Sequence, residues 1–381
     1  AGENNNISVA NNGSINIAHD GGSPMVPFWG QLGQGGFGLT NGSVVVFNSG
    51  MINLGSGSTV NTTYGDLIEG VFTSRPDLPL DMVYNFVFGV GISVVDGTSE
   101  SSLLEQGKII ADDLTININH QRDNKRVMGL HLGKDAATLE LSGLTTINTT
   151  ALGENSNAWG IYVREGALVN AEDLKVLSEG QASALGILAN STYSHAPTLV
   201  RYNKASIKAI SDNVAAGIVI GSGDVTALGD TNLDINVIKR GGLGEGIELN
   251  YGGDANDKNL HSYFTAHGNT NISLKSAADE IELYGAISSG TSDFTTNDLT
   301  VIFDTQAYQQ IKGTGLFATT DTTGKQESTG KIAIKGDLNI DAIDINHSGS
   351  WRYVVASNGG DITLDGKVRL GIKNNDPDVI A

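Results

Sequence analysis

The chain has 381 residues, of which 50 are glycine, 39% are hydrophobic and only 17% are charged. Glycine is about twice as frequent as usual and charged residues are sparse, which argues against a helical protein, while the apolar content argues against wholesale disorder. The formal net charge of −19 disfavours a nucleic-acid partner, and the absence of cysteine excludes disulfides and thiolate metal sites.

The first ninety residues contain strand-like segments without a regular repeat. Four of the six prolines fall here, and proline cannot donate a hydrogen bond to a strand ladder. We therefore predict that residues 1–90 form an N-terminal cap and irregular first coils with protruding loops. No run of ~18 apolar residues occurs in the chain, so we expect no direct membrane insertion of this segment.

From residue 91 onward, a glycine followed by alternating apolar residues recurs at spacings of 26 to 39 residues. We call this segment the Gly signature. Its glycines are Gly91, Gly129, Gly160, Gly186, Gly217, Gly246, Gly285 and Gly315. A repeat of this length is typical of architectures that stack one structural unit on the next.

A second strand-like segment, often opened by an acidic or small residue and leucine, recurs between the Gly signatures. We call it the DLT segment, and it occupies 113–119, 173–178, 232–238, 298–303 and 337–342. Its apolar residues alternate with period two, as in Leu114, Ile116 and Ile118, which is the pattern of a strand with one buried face. With a third strand in each unit, the sequence predicts an all-β, right-handed parallel β-helix of roughly a dozen three-stranded coils, in which 91–381 is one continuous domain with protruding loops.

The GIYV-type signature at Gly160, the DLT or DLK strand and the absence of cysteine together resemble the passenger domains of Gram-negative autotransporters (type V secretion). The resemblance covers roughly residues 85–375. It is closest in style to AIDA-type, self-associating and pertactin-like adhesins and to uropathogen adhesins that bind matrix and glycosaminoglycan.

That resemblance implies secretion through the outer membrane by a C-terminal translocator barrel that this sequence lacks, and display on the bacterial cell surface. It also implies adhesion to a host matrix glycan (glycosaminoglycan) or to a glycoprotein such as fibronectin. Two alternatives stay open, namely self-association that promotes bacterial aggregation or biofilm, and a polysaccharide lyase or hydrolase.

We expect no enzyme, no catalytic residue and no cofactor. The nearest strings to a serine-protease nucleophile motif, at 221–224 and 289–293, do not match it. Asp234, Asp304 and Asp341 are expected to lie many coils apart, farther than the ~5–9.5 Å that paired carboxylates need. The seven histidines show no metal-site spacing, and 252–259 lacks the downstream glutamate of a calcium loop, so no metal is expected.

Outward residues at equivalent strand positions of a β-helix stack into columns that can serve as binding surfaces. On the DLT segments the predicted polar column comprises Asn117, Asn119, Asn148, Lys175, Lys208, Asp234, Asn236, Lys275, Asp304, Asn339 and Asp341. Amides and charges at regular intervals suit hydrogen bonding to a linear sugar chain. The alternative is an ordinary solvated sheet face.

Aromatic residues supply the other candidate contacts. On the Gly-signature strands, the outward set includes an apolar patch around Tyr162, Leu188 and Val219. Two predicted insertions, at 190–203 and 250–266, carry further aromatic residues that could stack on sugars, namely Tyr193, Tyr202, Tyr251 and Tyr263. The alternative for these loop residues is local packing onto the rod.

Overall fold

A computed structural model of the chain describes residues 6–19, 39–41, 44–47, 51–64, 87–95, 108–121, 123, 126–133, 138–164, 166–190, 198–250, 261–305, 310–321, 328–343 and 349–373. These residues form thirty strands and no helix, so no helix among them is long and apolar enough to cross a membrane. The strands are β1 (Asn6–Val9), β2 (Ser14–His19), β3 (Leu39–Asn41), β4 (Val44–Phe47), β5 (Met51–Leu54), β6 (Thr59–Tyr64), β7 (Val87–Val95), β8 (Lys108–Asp112), β9 (Thr115–His120), β10 (Arg126–Gly133), β11 (Thr138–Ala151), β12 (Asn157–Arg164), β13 (Leu168–Gly180), β14 (Ser183–Asn190), β15 (Leu199–Ser211), β16 (Val214–Ile220), β17 (Gly223–Ala227), β18 (Thr231–Val237), β19 (Leu243–Asn250), β20 (Ser262–Ala266), β21 (Thr270–Ser276), β22 (Glu282–Ser289), β23 (Ser292–Thr296), β24 (Leu299–Asp304), β25 (Lys312–Asp321), β26 (Ser328–Ile334), β27 (Leu338–Ile343), β28 (Ser350–Ser357), β29 (Asp361–Leu364) and β30 (Val368–Lys373).

The strands stack in three parallel ladders, which confirms the predicted parallel β-helix. The Gly face contains β3, β4, β7, β10, β12, β14, β16, β19, β22, β25 and β28. The DLT face contains β2, β6, β9, the C-terminal halves of β11, β13 and β15, and then β18, β21, β24, β27 and β30. The third face contains β1, β5, β8, the N-terminal halves of β11, β13 and β15, and then β17, β20, β23, β26 and β29. Eleven strands at a spacing of ~4.8 Å give a stack about 50 Å long.

The strands described within the first ninety residues continue the same ladders. Asn6 of β1 pairs with Met51 of β5, and Met51 pairs in turn with Lys108 of β8. These strands are therefore the first coils of the stack. The loops predicted around the prolines of this stretch lie outside the described residues.

Inward side chains form apolar ladders along the axis. One such ladder on the DLT face runs through eight coils in register, all of its members at most 3% exposed: Ile116, Ile147, Val176, Ile207, Leu233, Ile272, Val301 and Ile340. Each coil covers the apolar surface of its neighbours, so stability is approximately a sum over adjacent coils. The period-two pattern of the DLT segments is thereby explained.

The glycines of the Gly signature stack directly on one another, and the reason is close approach. A Cβ atom built on Gly160 would lie 2.2 Å from Cγ1 of Val176 and 2.7 Å from the carbonyl oxygen of Gly186. The same clash, at 2.4–2.7 Å with the carbonyl oxygen of the following coil, recurs at every signature glycine from Gly129 to Gly315. The signature is therefore a packing requirement of the coil and carries no information about a ligand.

The acidic residue of the DLT segment also has a structural role, because it accepts a backbone hydrogen bond from the next coil. Oδ1 of Asp298 accepts from the backbone N–H of Asp337 at 2.6 Å, and Oδ1 of Asp337 accepts from that of Lys367 at 2.9 Å. Asp113 and Leu144 make the same contact at 2.9 Å. These carboxylates satisfy backbone donors at a corner where the ladder is interrupted.

Candidate functional site

The polar residues predicted on the DLT segments do lie on the DLT face, but in three parallel columns instead of one. The strand register assigns them as Lys175 and Asn339 in the first column, Asn117, Asn148, Lys208, Asp234 and Asp341 in the second, and Asn119, Asn236, Lys275 and Asp304 in the third. The prediction of a single continuous column was therefore wrong. The DLT segments are offset from one another by two residues, and these offsets cannot be seen without the register between paired strands.

Much of the hydrogen-bonding capacity of the second column is used between coils. Nδ2 of Asn117 donates to Oδ1 of Asn61, and Nδ2 of Asn148 donates to Oδ1 of Asn117, both at 2.8 Å. Three consecutive coils of this face are thus joined by an amide ladder. Such internal pairing favours a structural role for these amides.

Two lysines of the DLT face, Lys208 and Lys275, share one carboxylate. Oδ2 of Asp234 lies 3.7 Å from Nζ of Lys208, and its Oδ1 lies 2.7 Å from Nζ of Lys275. Asp341, predicted to be an outward contact, is only 5% exposed and lies 4.0 Å from Arg369. The DLT face therefore presents little unpaired charge to a polyanionic ligand around these residues.

The separation expected for the three aspartates was wrong. Asp304 and Asp341 lie on β24 and β27, which are adjacent strands, and Asp234 lies on β18, two coils before Asp304. Their distance along the chain overstated their distance in space, because one coil returns the chain to the same face after 30 to 40 residues. Separation alone therefore gives no argument against catalysis.

The aromatic residues predicted to lie in loops occupy different positions in the structure. Tyr202 belongs to the core and not to a loop: it lies on β15, is 1% exposed, and its hydroxyl is 2.9 Å from Oγ1 of Thr231, while burial raises its pKa. This prediction was wrong, because 199–203 is regular strand. Tyr193 and Tyr251 lie outside the described residues, and Tyr263 is half-buried on β20 of the third face.

Tyr162 lies in the outward column predicted for the Gly face, in register with His131 on one side and Leu188 on the other. It belongs to an aromatic–arginine cluster composed of Arg126, His131, Trp159, Tyr162 and Arg164. Its ring lies 5.2 Å from that of Trp159 at 79° and 5.5 Å from that of His131 at 28°. Cζ of Arg126 lies 4.2 Å from the centroid of Trp159, and Cζ of Arg164 lies 5.6 Å from that of Tyr162.

The aromatic–arginine cluster contains two guanidinium groups, those of Arg126 and Arg164. Burial, and next to it the charge of Arg164, lowers the pKa of His131 to about 4, so His131 is neutral at physiological pH. Burial also lowers the pKa of Arg126 from its ordinary value, although a guanidinium stays charged. Each arginine lies over an aromatic ring at the distance of a cation–π contact, which fixes both ring planes.

A carboxyl pair lies three coils beyond Trp159 on the Gly face. Glu245 of β19 is in register with Ala216 of β16 and Tyr284 of β22, and it is only 7% exposed. Burial, followed by the negative charge of Glu248 and a hydrogen bond with it, raises the pKa of Glu245 to about 8. At neutral pH, Glu245 therefore holds a proton beside a second carboxyl group.

Sequence reasoning missed Glu245, Trp159 and the two arginines. The position that Glu245 occupies on β19 is taken by Trp159 on β12, Leu185 on β14 and Ala216 on β16. The residue directly before each signature glycine was the available signal, because these positions stack in register from coil to coil. It was overlooked because the signature was interpreted only from its glycine onward.

Within the described ranges, no group of three or more His, Asp or Glu side chains could hold a metal ion. The calcium-like segment 252–259 lies outside those ranges. Comparison with known proteins gives no relative: no family model matches the chain, and neither a curated protein nor a solved structure matches it.

Proposed function

We propose that this chain is the binding segment of a bacterial cell-surface adhesin of the autotransporter passenger type. It binds a host matrix glycan or glycoprotein through the Gly face and does so by contact, without catalysis. The aromatic–arginine cluster is the observation that carries this proposal, because it places two half-buried aromatic rings and two guanidinium groups on a side of the rod that faces solvent.

The chemistry of the cluster suits a glycan that carries carboxylate or sulfate groups. Trp159 and Tyr162 offer apolar ring surface with few rotatable bonds, so little conformational entropy is lost when they make contact. Arg126 and Arg164 offer planar forks of N–H donors that match carboxylate and sulfate oxygens.

The outward column that contains Tyr162 continues beyond it through Leu188 and Val219 to Glu248. Residues in this column follow one another at the strand spacing of ~4.8 Å, so a linear ligand aligned with the axis meets a regularly spaced surface. Glu245 and Glu248 lie three coils, or ~14 Å, from Trp159. Over these coils the Gly face thus offers an aromatic–arginine cluster, then an apolar stretch and then a carboxyl pair to one extended ligand.

Replacing Trp159 with alanine is expected to weaken binding to immobilised chondroitin sulfate, heparin or fibronectin at least tenfold, because an aromatic anchor in an interface contributes ~2 kcal/mol or more. Binding is measured by surface plasmon resonance with the purified chain. The matched control is the triple alanine variant of Lys175, Lys208 and Lys275 on the DLT face, which should bind as the wild type does. Loss of binding in the triple variant with full binding by Trp159→Ala would overturn the proposed use of the Gly face.

One observation favours a second candidate function, cleavage of the glycan. Glu245 is protonated at neutral pH, so it is a candidate proton donor, and its hydrogen bond with Glu248 brings the two carboxyl groups closer than the ~5–9.5 Å of the paired carboxylates in most glycoside hydrolases. Incubating the chain with pectin, alginate or glycosaminoglycans and measuring new reducing or unsaturated ends tests this function. Activity that disappears in Glu245→Gln would replace adhesion by an enzymatic function.

A further inference from the structure

A second group of chemically active side chains lies on the third face, away from the Gly face. Tyr263 of β20 is in register with Asp224 of β17 in the preceding coil and with Asp293 of β23 in the following coil. The tyrosine is therefore flanked on both sides along the axis by carboxylates. Nζ of Lys331, one coil farther on, lies 3.8 Å from Oδ1 of Asp293.

His261 fixes the geometry of this group. It lies two residues before Tyr263, and the two ring centroids are 3.9 Å apart at an angle of 35°. Its Nε2 lies 3.0 Å from Oδ1 of Asp224. One histidine thus holds both the plane of the tyrosine ring and the orientation of one carboxylate, which is the preorganisation that a binding site requires.

The protonation state of Tyr263 makes it a hydrogen-bond donor. Burial raises its pKa, and the negative charges of Asp293 and Asp224 raise it further, so the phenol keeps its proton. The group therefore combines one O–H donor, a half-buried ring and two carboxylates that accept hydrogen bonds. Hydroxyl groups of a sugar are donors to carboxylates, and the C–H side of a pyranose ring packs on an aromatic ring.

We propose that Asp224, His261, Tyr263 and Asp293 form a binding site for one pyranose unit of a neutral saccharide. Asp224 and Asp293 are two coils apart, about 10 Å, with Tyr263 between them, so a sugar that packs on the tyrosine ring has a carboxylate on either side. Asp224 and Asp293 outnumber Lys331, the lysine within ion-pair distance of Asp293, so the site disfavours carboxylated or sulfated sugars. The site therefore selects against the anionic glycans that suit the aromatic–arginine cluster, and it is independent of the proposed function of the Gly face.

Saturation-transfer NMR and calorimetry with neutral hexasaccharides of glucose, galactose and mannose test the proposal. A chondroitin sulfate hexasaccharide serves as the charged comparison. We expect the purified chain to bind at least one neutral hexasaccharide, Tyr263→Ala to weaken that binding at least tenfold, and Asp293→Asn to weaken it severalfold. Thr265→Ala, an outward substitution two residues farther along β20, is the matched control and should leave binding unchanged.

The two sites are distinguishable in the same experiment, because Trp159→Ala should leave neutral-saccharide binding intact. The proposal is overturned if the wild-type chain binds none of the neutral hexasaccharides, or if Tyr263→Ala and Asp293→Asn both bind them as the wild type does. Circular dichroism of each variant checks folding. Should Tyr263→Ala not fold, Asp293→Asn decides the outcome, since Asp293 is half-buried and its loss removes no apolar core.

Discussion

Replacing Gly186 with alanine is expected to lower the free energy of unfolding by ~3 kcal/mol, at the upper end of the usual cost of overpacking. The new Cβ atom would lie 2.2 Å from Cγ2 of Ile207 and 2.5 Å from the carbonyl oxygen of Gly217. The second of these neighbours is backbone, so relief requires that β14 and β16 move apart. Urea unfolding of the purified variant, followed by circular dichroism, measures the loss.

Gly241→Ala is the matched control for this substitution. Nothing lies within 4 Å of a Cβ atom built there, so its cost comes only from the left-handed backbone, with φ at +77°, and should be ~1 kcal/mol. Equal losses in the two variants would mean that the glycine ladder is not tightly packed. A larger loss for Gly186→Ala supports close approach between coils as the reason for the Gly signature.

Replacing Glu245 with glutamine is expected to stabilise the protein by ~3 kcal/mol at pH 8–9 and to leave its stability unchanged near pH 4. The pKa of Glu245 is raised from its ordinary value to about 8 in the folded chain. As the pH rises from about 4.5 to 8, the unfolded chain releases this proton while the folded chain retains it. The wild type therefore loses stability over that interval and levels off above it, whereas glutamine has no proton to release.

The groups that face Glu245 are Glu248 on its own strand and Tyr284 on β22, while β16 contributes only apolar side chains. Urea unfolding at pH values between 4 and 9 measures the effect. The control is Glu282→Gln, which breaks an exposed ion pair with Lys312 at 2.8 Å and should cost less than ~1 kcal/mol. Parallel stability curves for the wild type and Glu245→Gln would show that the pKa of Glu245 is the same in the folded and unfolded chain, which contradicts the raised pKa.

A buried acid that lowers stability at neutral pH is the kind of group found at functional sites. Glu245→Gln therefore also separates the two functions considered for the Gly face. Unchanged adhesion together with greater stability would fit a contact surface, whereas the loss of a glycan-cleaving activity would fit a proton donor. The two results thus distinguish a Glu245–Glu248 pair that belongs to a contact surface from one that donates a proton in catalysis.

The sequence predicted the fold because each coil must repeat the same local requirements. Leu114, Ile116 and Ile118 alternate with polar residues, so in a strand stacked between two others they are all buried only if that face of the strand points into the core. The recurrent glycine and the recurrent acid of the DLT segment turned out to serve packing and backbone hydrogen bonding, as shown by Gly160 and Asp298. All of these are interactions between equivalent positions, so a repeat in the sequence is enough to reveal them.

Surface chemistry was harder to predict, because the loops between strands vary in length from coil to coil. Tyr202 seemed to lie in an insertion, but it packs in the core against Thr231, which lies 29 residues later in the sequence. Asp304 and Asp341 are 37 residues apart in the sequence, yet they lie on adjacent strands. In both cases the spacing along the chain gave the wrong neighbours.

The amino-acid sequence by itself determined that this protein is a stack of parallel three-stranded coils, since the alternation of apolar residues and the repeated glycines are local requirements of every coil. Only the tertiary structure decided which outward residues meet, such as Arg126 with Trp159, Lys275 with Asp234, and Tyr263 with Asp224 and Asp293. The physical reason is that these contacts depend on the register between coils, which is set when the inward ladders pack together and not by the spacing of residues along the chain.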